Sequence, residues 1–210
     1  MPLDLWLAFV AASTLLLLIP GPTILLVLSY ALSQGRRVAV ASATGVALGD
    51  FIAMSASLAG LGAVVAASAT LFMVLKWIGA VYLVWLGVKL LRSAPEHGLA
   101  LPDAGADIAA RTVFRHAASV TALNPKSIAF FIAFVPQFVR PDTALAPQFI
   151  ILIATFVALA TVNALAYALI ADRLRRVFSR PSTTRNLTRA GGLTLIGMGV
   201  LTATLRRTTT

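Results

Sequence analysis

Apolar residues in this chain come in long blocks, and polar residues collect in the short stretches between them. The blocks predict helices over about Asp4 to Ser33, Val38 to Ser68, Leu71 to Arg92, Arg111 to Phe138, Gln148 to Ala171 and Ala190 to Leu205, the last short for a span. Runs of this length suit a hydrocarbon layer about 30 Å thick. The short alternating segments of a transmembrane barrel are absent. Gln34-Gly35-Arg36-Arg37 reads as a polar turn, and Gly60-Leu61-Gly62 as a point that loosens the outer end of the second helix. Ser93 to Ala110 holds Pro95, Gly98, Pro102 and Gly105 with Glu96, Asp103 and Asp107, and reads as a mobile loop. Val139 to Pro147 is a tight connection, and Asp172 to Arg189 a basic stretch.

Two of the blocks are interrupted. Leu15 to Tyr30 reads LLLLIPGPTILLVLSY, with Pro20, Gly21 and Pro22 at its centre. Each proline removes a backbone donor and crowds the preceding turn, and glycine adds backbone freedom. A straight helix cannot pass through this triplet. In hydrocarbon its freed carbonyls would cost several kcal/mol each unless protein or water satisfies them. The fourth block is broken by Asn124, Pro125 and Lys126. Six helices form two sets of three, and an odd number per set inverts the second set relative to the first. The breaks then fall at similar depths in corresponding helices. Paired interrupted segments point to an inverted-repeat transporter whose site lies at the breaks. The expected fold is all-α: one membrane domain over 1–210, with repeats over about 1–92 and 111–210 and a cytoplasmic loop over about 93–110.

Composition supports the membrane assignment. The chain is 59% hydrophobic and 11% charged, against about 25% charged residues in a soluble domain. The net charge of +10 does not point to nucleic acid, because the basic residues are segregated. Arg36, Arg37, Lys89, Arg92, Arg111, Arg115, Arg173, Arg175, Arg176, Arg180, Arg185 and Arg189 flank the odd-numbered connections, while the even side has Arg140, Arg206 and Arg207. This places the odd connections in the cytoplasm and both termini outside. Trp6, Phe72 and Trp77 fall near the outer interface, and Lys76 snorkels to it. No Lys or Arg precedes Arg36, so the first block reads as a retained helix rather than a secretory signal. The absence of cysteine excludes disulfides and thiolate metal sites.

A few polar residues stand where oil is expected. Asp50, about twelve residues into the second helix, costs at least ~2.5 kcal/mol to insert there. It reads as a proton acceptor or a ligand for an amine, or as a structural hydrogen-bonding group. Lys126 lies about fifteen residues, or ~22 Å of helix, beyond Arg111, too deep for easy snorkelling. It can attract a carboxylate or pair with Asp50. Asn124 and Gln137 can donate and accept in the same region, and interhelical hydrogen bonding suits Asn163. His97 and His116, in or beside the loop, lack clustered acids and read as solvated, so no metal is expected. No nucleophile-histidine-acid set, carboxylate pair or nucleotide loop is present. An enzyme is not expected, nor a cofactor, and an ion gradient would drive transport.

Taken together, these motifs resemble the LysE/RhtB family of bacterial amino-acid exporters. The matching residues are Pro20-Gly21-Pro22; Gly35-Arg36-Arg37, Gly45 and Gly49-Asp50; Lys76, Gly79-Ala80, Tyr82-Leu83 and Gly87; and Asn124-Pro125-Lys126, Phe130-Phe131 and Pro136-Gln137-Phe138. The resemblance covers nearly the whole chain. It implies a six-helix inner-membrane exporter that exchanges amino acids for protons. It carries over Pro20, Gly21, Pro22, Asp50, Asn124, Pro125 and Lys126 as site positions, with Asp50 coupling to protons. A zwitterion needs a seat for each end. Helix N-termini at the breaks suit the carboxylate and Asp50 the ammonium, which fits a neutral amino acid such as threonine, homoserine or leucine. The partners implied are substrate, protons and lipid, with no nucleic acid; self-association stays open. The competing readings are an exporter of another small solute or cation, and a non-transporting membrane scaffold or regulatory subunit.

Overall fold

Proline and glycine punctuate the chain where the apolar blocks alone would not. A computed structural model describes residues 1–19, 21–34, 36–92, 108–140, 143–171 and 181–204. Pro20, the loop over 93–107 with His97, and the basic residues over 172–180 lie outside them, as do the side chains of Phe72 and Lys76. The described residues are helical apart from short connections. The helices are α1 (Leu3–Leu18), α2 (Pro22–Gln34), α3 (Arg36–Ala67), α4 (Ala69–Arg92), α5 (Ala110–Ala122), α6 (Pro125–Ala133), α7 (Leu145–Leu169) and α8 (Pro181–Thr204). A 3-10 turn over Val135–Phe138 follows α6.

Both expected breaks are present. The bend between α1 and α2 is 57°, and that between α5 and the segment from Pro125 to Phe138 is 43°. Pro22 opens α2, and Pro125 follows the Asn124 cap of α6. A proline at the first helical position loses nothing there, because that N–H has no intrahelical partner. Three unbroken segments, Val38–Val64, Met73–Arg92 and Leu145–Leu169, are long and apolar enough to cross a membrane, and the two bent pairs bring the total to five. The expected sixth span falls on α8, which is not among these five and whose 24 residues start at Pro181 and not near Ala190. Its first turns, Ser182-Thr183-Thr184-Arg185-Asn186, look like loop by polarity, yet a leading proline permits a helix there. Two further expectations change. The fourth block stops being α-helical at Ala133, and Pro136 tightens the next residues into the 3-10 turn. Gly60 and Gly62 do not interrupt α3, which runs on to Ala67.

Small residues set the packing. An added Cβ on Gly49 would lie 2.6 Å from the Ala118 carbonyl oxygen and 2.6 Å from Thr121 Cβ, so the α3 backbone lies directly against the backbone and a side chain of α5. Gly45 meets Phe114 and Ala117 of α5 in the same way, one turn earlier, so the two helices run parallel. On the other flank Gly87 meets Gly192 and Ala80 meets Gly199, which makes α4 and α8 an antiparallel pair. Close approach through such residues is how helices associate where lipid removes the hydrophobic drive. Trp6 Nε1 donates to Thr155 Oγ1 at 3.0 Å, tying the start of α1 to α7. One core cluster is rich in phenylalanine: Phe9, Phe130, Phe131, Phe134, Phe138 and Phe156. A second, with Ala39, Ala43, Val46, Ala117, Ala164 and Ala168, is made of small residues.

Candidate functional site

The end of α1 defines the site. A helix terminus leaves its last carbonyls without intrahelical donors, and here four consecutive ones are met by side chains from other helices. Lys126 Nζ donates to Leu16 O at 3.1 Å and to Ile19 O at 2.9 Å. Asn163 Nδ2 donates to Leu17 O at 3.0 Å, and the Tyr167 hydroxyl to Leu18 O at 2.9 Å. Asn163 and Tyr167 are four apart on α7 and therefore share a face. Lys126 carries its charge to the end of α1 that the helix dipole makes negative.

The second break is built by Asn124. Its Oδ1 accepts from Lys126 N at 3.1 Å, capping α6, and its Nδ2 donates to Thr23 Oγ1 at 3.1 Å. Thr121 Oγ1 donates to the same Thr23 oxygen at 3.4 Å. One asparagine thus orders the start of α6 and joins it to the start of α2. Replacing Asn124 with Ala should cost about 2 kcal/mol, combining a lost cap and a lost buried hydrogen bond. Thermal unfolding in detergent should show a melting point lower by roughly 4–8 °C.

A small cavity lies between the breaks. Its lining includes Gly21, Thr23, Asp50, Asn124, Lys126, Ser127 and Asn163, with Val46, Ala160 and Leu16 among the apolar walls. Val46 and Asp50 are one turn apart on α3, on a single face. Asp50 is 2% exposed. Among the described residues no group donates a hydrogen bond to its carboxylate. A Cβ on Gly21 would sit 3.3 Å from Lys126 Nζ, so a larger residue there would crowd the ammonium and make it shift. The cavity volume is about 20 Å³, space for about one water and too little for an amino acid.

Of the residues expected at the site, the structure brings Gly21, Asp50, Asn124 and Lys126 together around this cavity. Pro22 and Pro125 shape the breaks but are exposed and do not line it; Pro20 lies outside the described residues. Lys126 donates to backbone carbonyls. Gln137 sits in the 3-10 turn with its amide buried and unpaired, away from the lining. Asn163 does bond between helices, as its type suggested. His116 is exposed and shares a 2.7 Å hydrogen bond with the Tyr30 hydroxyl. Sequence reasoning gave no role to Thr121, Ser127 or Tyr167. Their polarity inside apolar blocks, with Tyr167 four residues after Asn163, was the available signal. Among the described residues no group of His, Asp and Glu is arranged to hold a metal ion.

Residues 14–206 match the family described as LysE type translocator. A homoserine/homoserine lactone efflux protein of Salmonella typhimurium is 34% identical, over 98% of this chain and 99% of that protein. A leucine efflux protein of Enterobacter is 28% identical, over 95% of this chain and 90% of that protein. A membrane protein of Vibrio cholerae is 32% identical, over 98% of this chain and the whole of that protein. No solved structure matches the chain.

Proposed function

The chain belongs to the LysE type translocator family, and on that premise we propose that it exports neutral amino acids from the cytoplasm across a bacterial inner membrane in exchange for protons. Members of the family are membrane transporters and not enzymes. The observation that carries the finer proposal is the cavity between the two breaks, where Asp50 faces the starts of α2 and α6. Asp50 takes the substrate ammonium, and the N–H groups at the two helix starts take the carboxylate. A substrate with a cationic side chain would need a second acid, and among the described residues Asp50 is the single carboxylate in the lining. Relatives named for homoserine and leucine efflux support the same chemical class.

The remaining membrane features follow from the same proposal. The parallel pairs α1 with α7 and α3 with α5 would exchange under a two-fold axis in the membrane plane, which supports two inverted three-helix repeats. Six crossings put both termini outside, in keeping with the basic connections. Because the cavity is too small for substrate, loading requires the breaks to move apart.

Uptake into everted vesicles, offered a panel of amino acids from outside, tests this. Threonine, homoserine or leucine should accumulate when the lumen is made acidic, and collapsing that pH gradient should cut the uptake at least about tenfold. No stimulated flux of any amino acid would end the proposal; flux confined to lysine or arginine would end its neutral-substrate part.

A further inference from the structure

Two of the four carbonyls at the end of α1 are treated differently from the others. Leu17 and Leu18 are taken by neutral donors, Asn163 and Tyr167. Leu16 O and the carbonyl of Ile19, the extended residue that caps α1, share a single cation, the Lys126 ammonium, at 3.1 and 2.9 Å, and Leu16 O also accepts the Ile19 N–H at 3.4 Å. Carbonyls at the end of a half-helix are where transporters with discontinuous helices coordinate sodium. The helix dipole adds partial negative charge there, and Asp50 lines the same cavity with a full one. Gly21 leaves space beside the ammonium that a larger residue would fill.

We propose that Lys126 is a tethered cation filling the monovalent-cation site of the broken helix, so that transport needs no sodium, and that deleting its side chain opens that site to a small free cation. This deepens the transport reading and rests on it for flux alone; occupancy of the site is a separate, measurable property. A resident cation that cannot diffuse away keeps the end of α1 neutralised through every cycle. It also leaves the proton as the ion that couples.

The test uses the full chain purified in detergent, as wild type, Lys126→Ala and Lys126→Met. Thermal unfolding is followed in choline chloride, then with sodium or methylammonium substituted at equal ionic strength. The wild-type melting point should be indifferent to the exchange. Lys126→Ala should melt lower in choline and recover by about 3 °C or more in sodium or methylammonium. Lys126→Met fills the space without charge and should respond to neither ion. An Ala variant as indifferent as wild type, or one that folds in no cation tried, overturns the proposal. So does a Met variant that responds as the Ala variant does. Wild-type vesicle flux should change less than about twofold when choline replaces sodium; dependence on sodium also overturns it. If no amino acid is transported, the melting comparison still decides the cation site, so the two failures are told apart.

Discussion

Replacing Asp50 with Asn should lower proton-linked amino-acid flux by roughly 100-fold while leaving the protein folded. Asn matches Asp in size, removes the charge and exchanges one acceptor oxygen for an NH2 donor. Because no hydrogen bond to that carboxylate would be lost among the described residues, the stability change should be about 1 kcal/mol or less. The flux loss is larger because a charge-assisted bond to the substrate ammonium is worth about 1.5–3 kcal/mol, and the proton-accepting group goes with it. Initial rates in vesicles, set beside the melting point of the purified protein, check both halves. A scaffold would show neither change, and a purely structural Asp50 would show a lowered melting point with a proportional loss of folded protein. Unchanged flux in a folded Asp50→Asn protein would remove Asp50 from the mechanism.

Gly49→Leu should be the most damaging change to the fold. The first atom added to Gly49 would lie 2.6 Å from a backbone oxygen of Ala118. A backbone carbonyl in a packed helix cannot turn aside as a flexible side chain does. The α3–α5 pair must therefore separate, at a cost of at least about 3 kcal/mol. Little monodisperse protein should be recovered, and what is recovered should melt well below wild type. Gly60→Ala is the matched comparison on the same helix. An added Cβ at Gly60 meets nothing within 4 Å, so the change should be neutral or stabilising by about 0.5–1 kcal/mol. Equal behaviour of the two variants would mean that close approach at Gly49 does not hold the helices together.

Much of the fold was legible because membrane helices state their limits in composition. The break at Gly21-Pro22 and the break at Asn124-Pro125 follow from missing donors, and both are bends in the structure. The start of α8 was less legible, because Ser, Thr and Arg at a helix end look like loop until a leading proline is given weight. The stop at Ala133 was missed for a related reason: Pro136 acts on the turn before it, within an apolar run that looks continuous.

The candidate site divides along the same line. Asp50, Asn124 and Lys126 stand out in the sequence because charge and amide are costly in oil, and cost alone marks them. Their partners are a different matter. That Lys126 neutralises Leu16 and Ile19, that Asn124 reaches Thr23, and that Tyr167 meets Leu18 depend on helices packed side by side from distant parts of the chain. By itself the sequence determined where backbone bonding must fail and which side chains could not rest in lipid, since both are local consequences of residue type. Only the tertiary structure decided which failed carbonyl meets which donor, because hydrogen bonds form over about 3 Å and only packing brings residues more than a hundred positions apart within that reach.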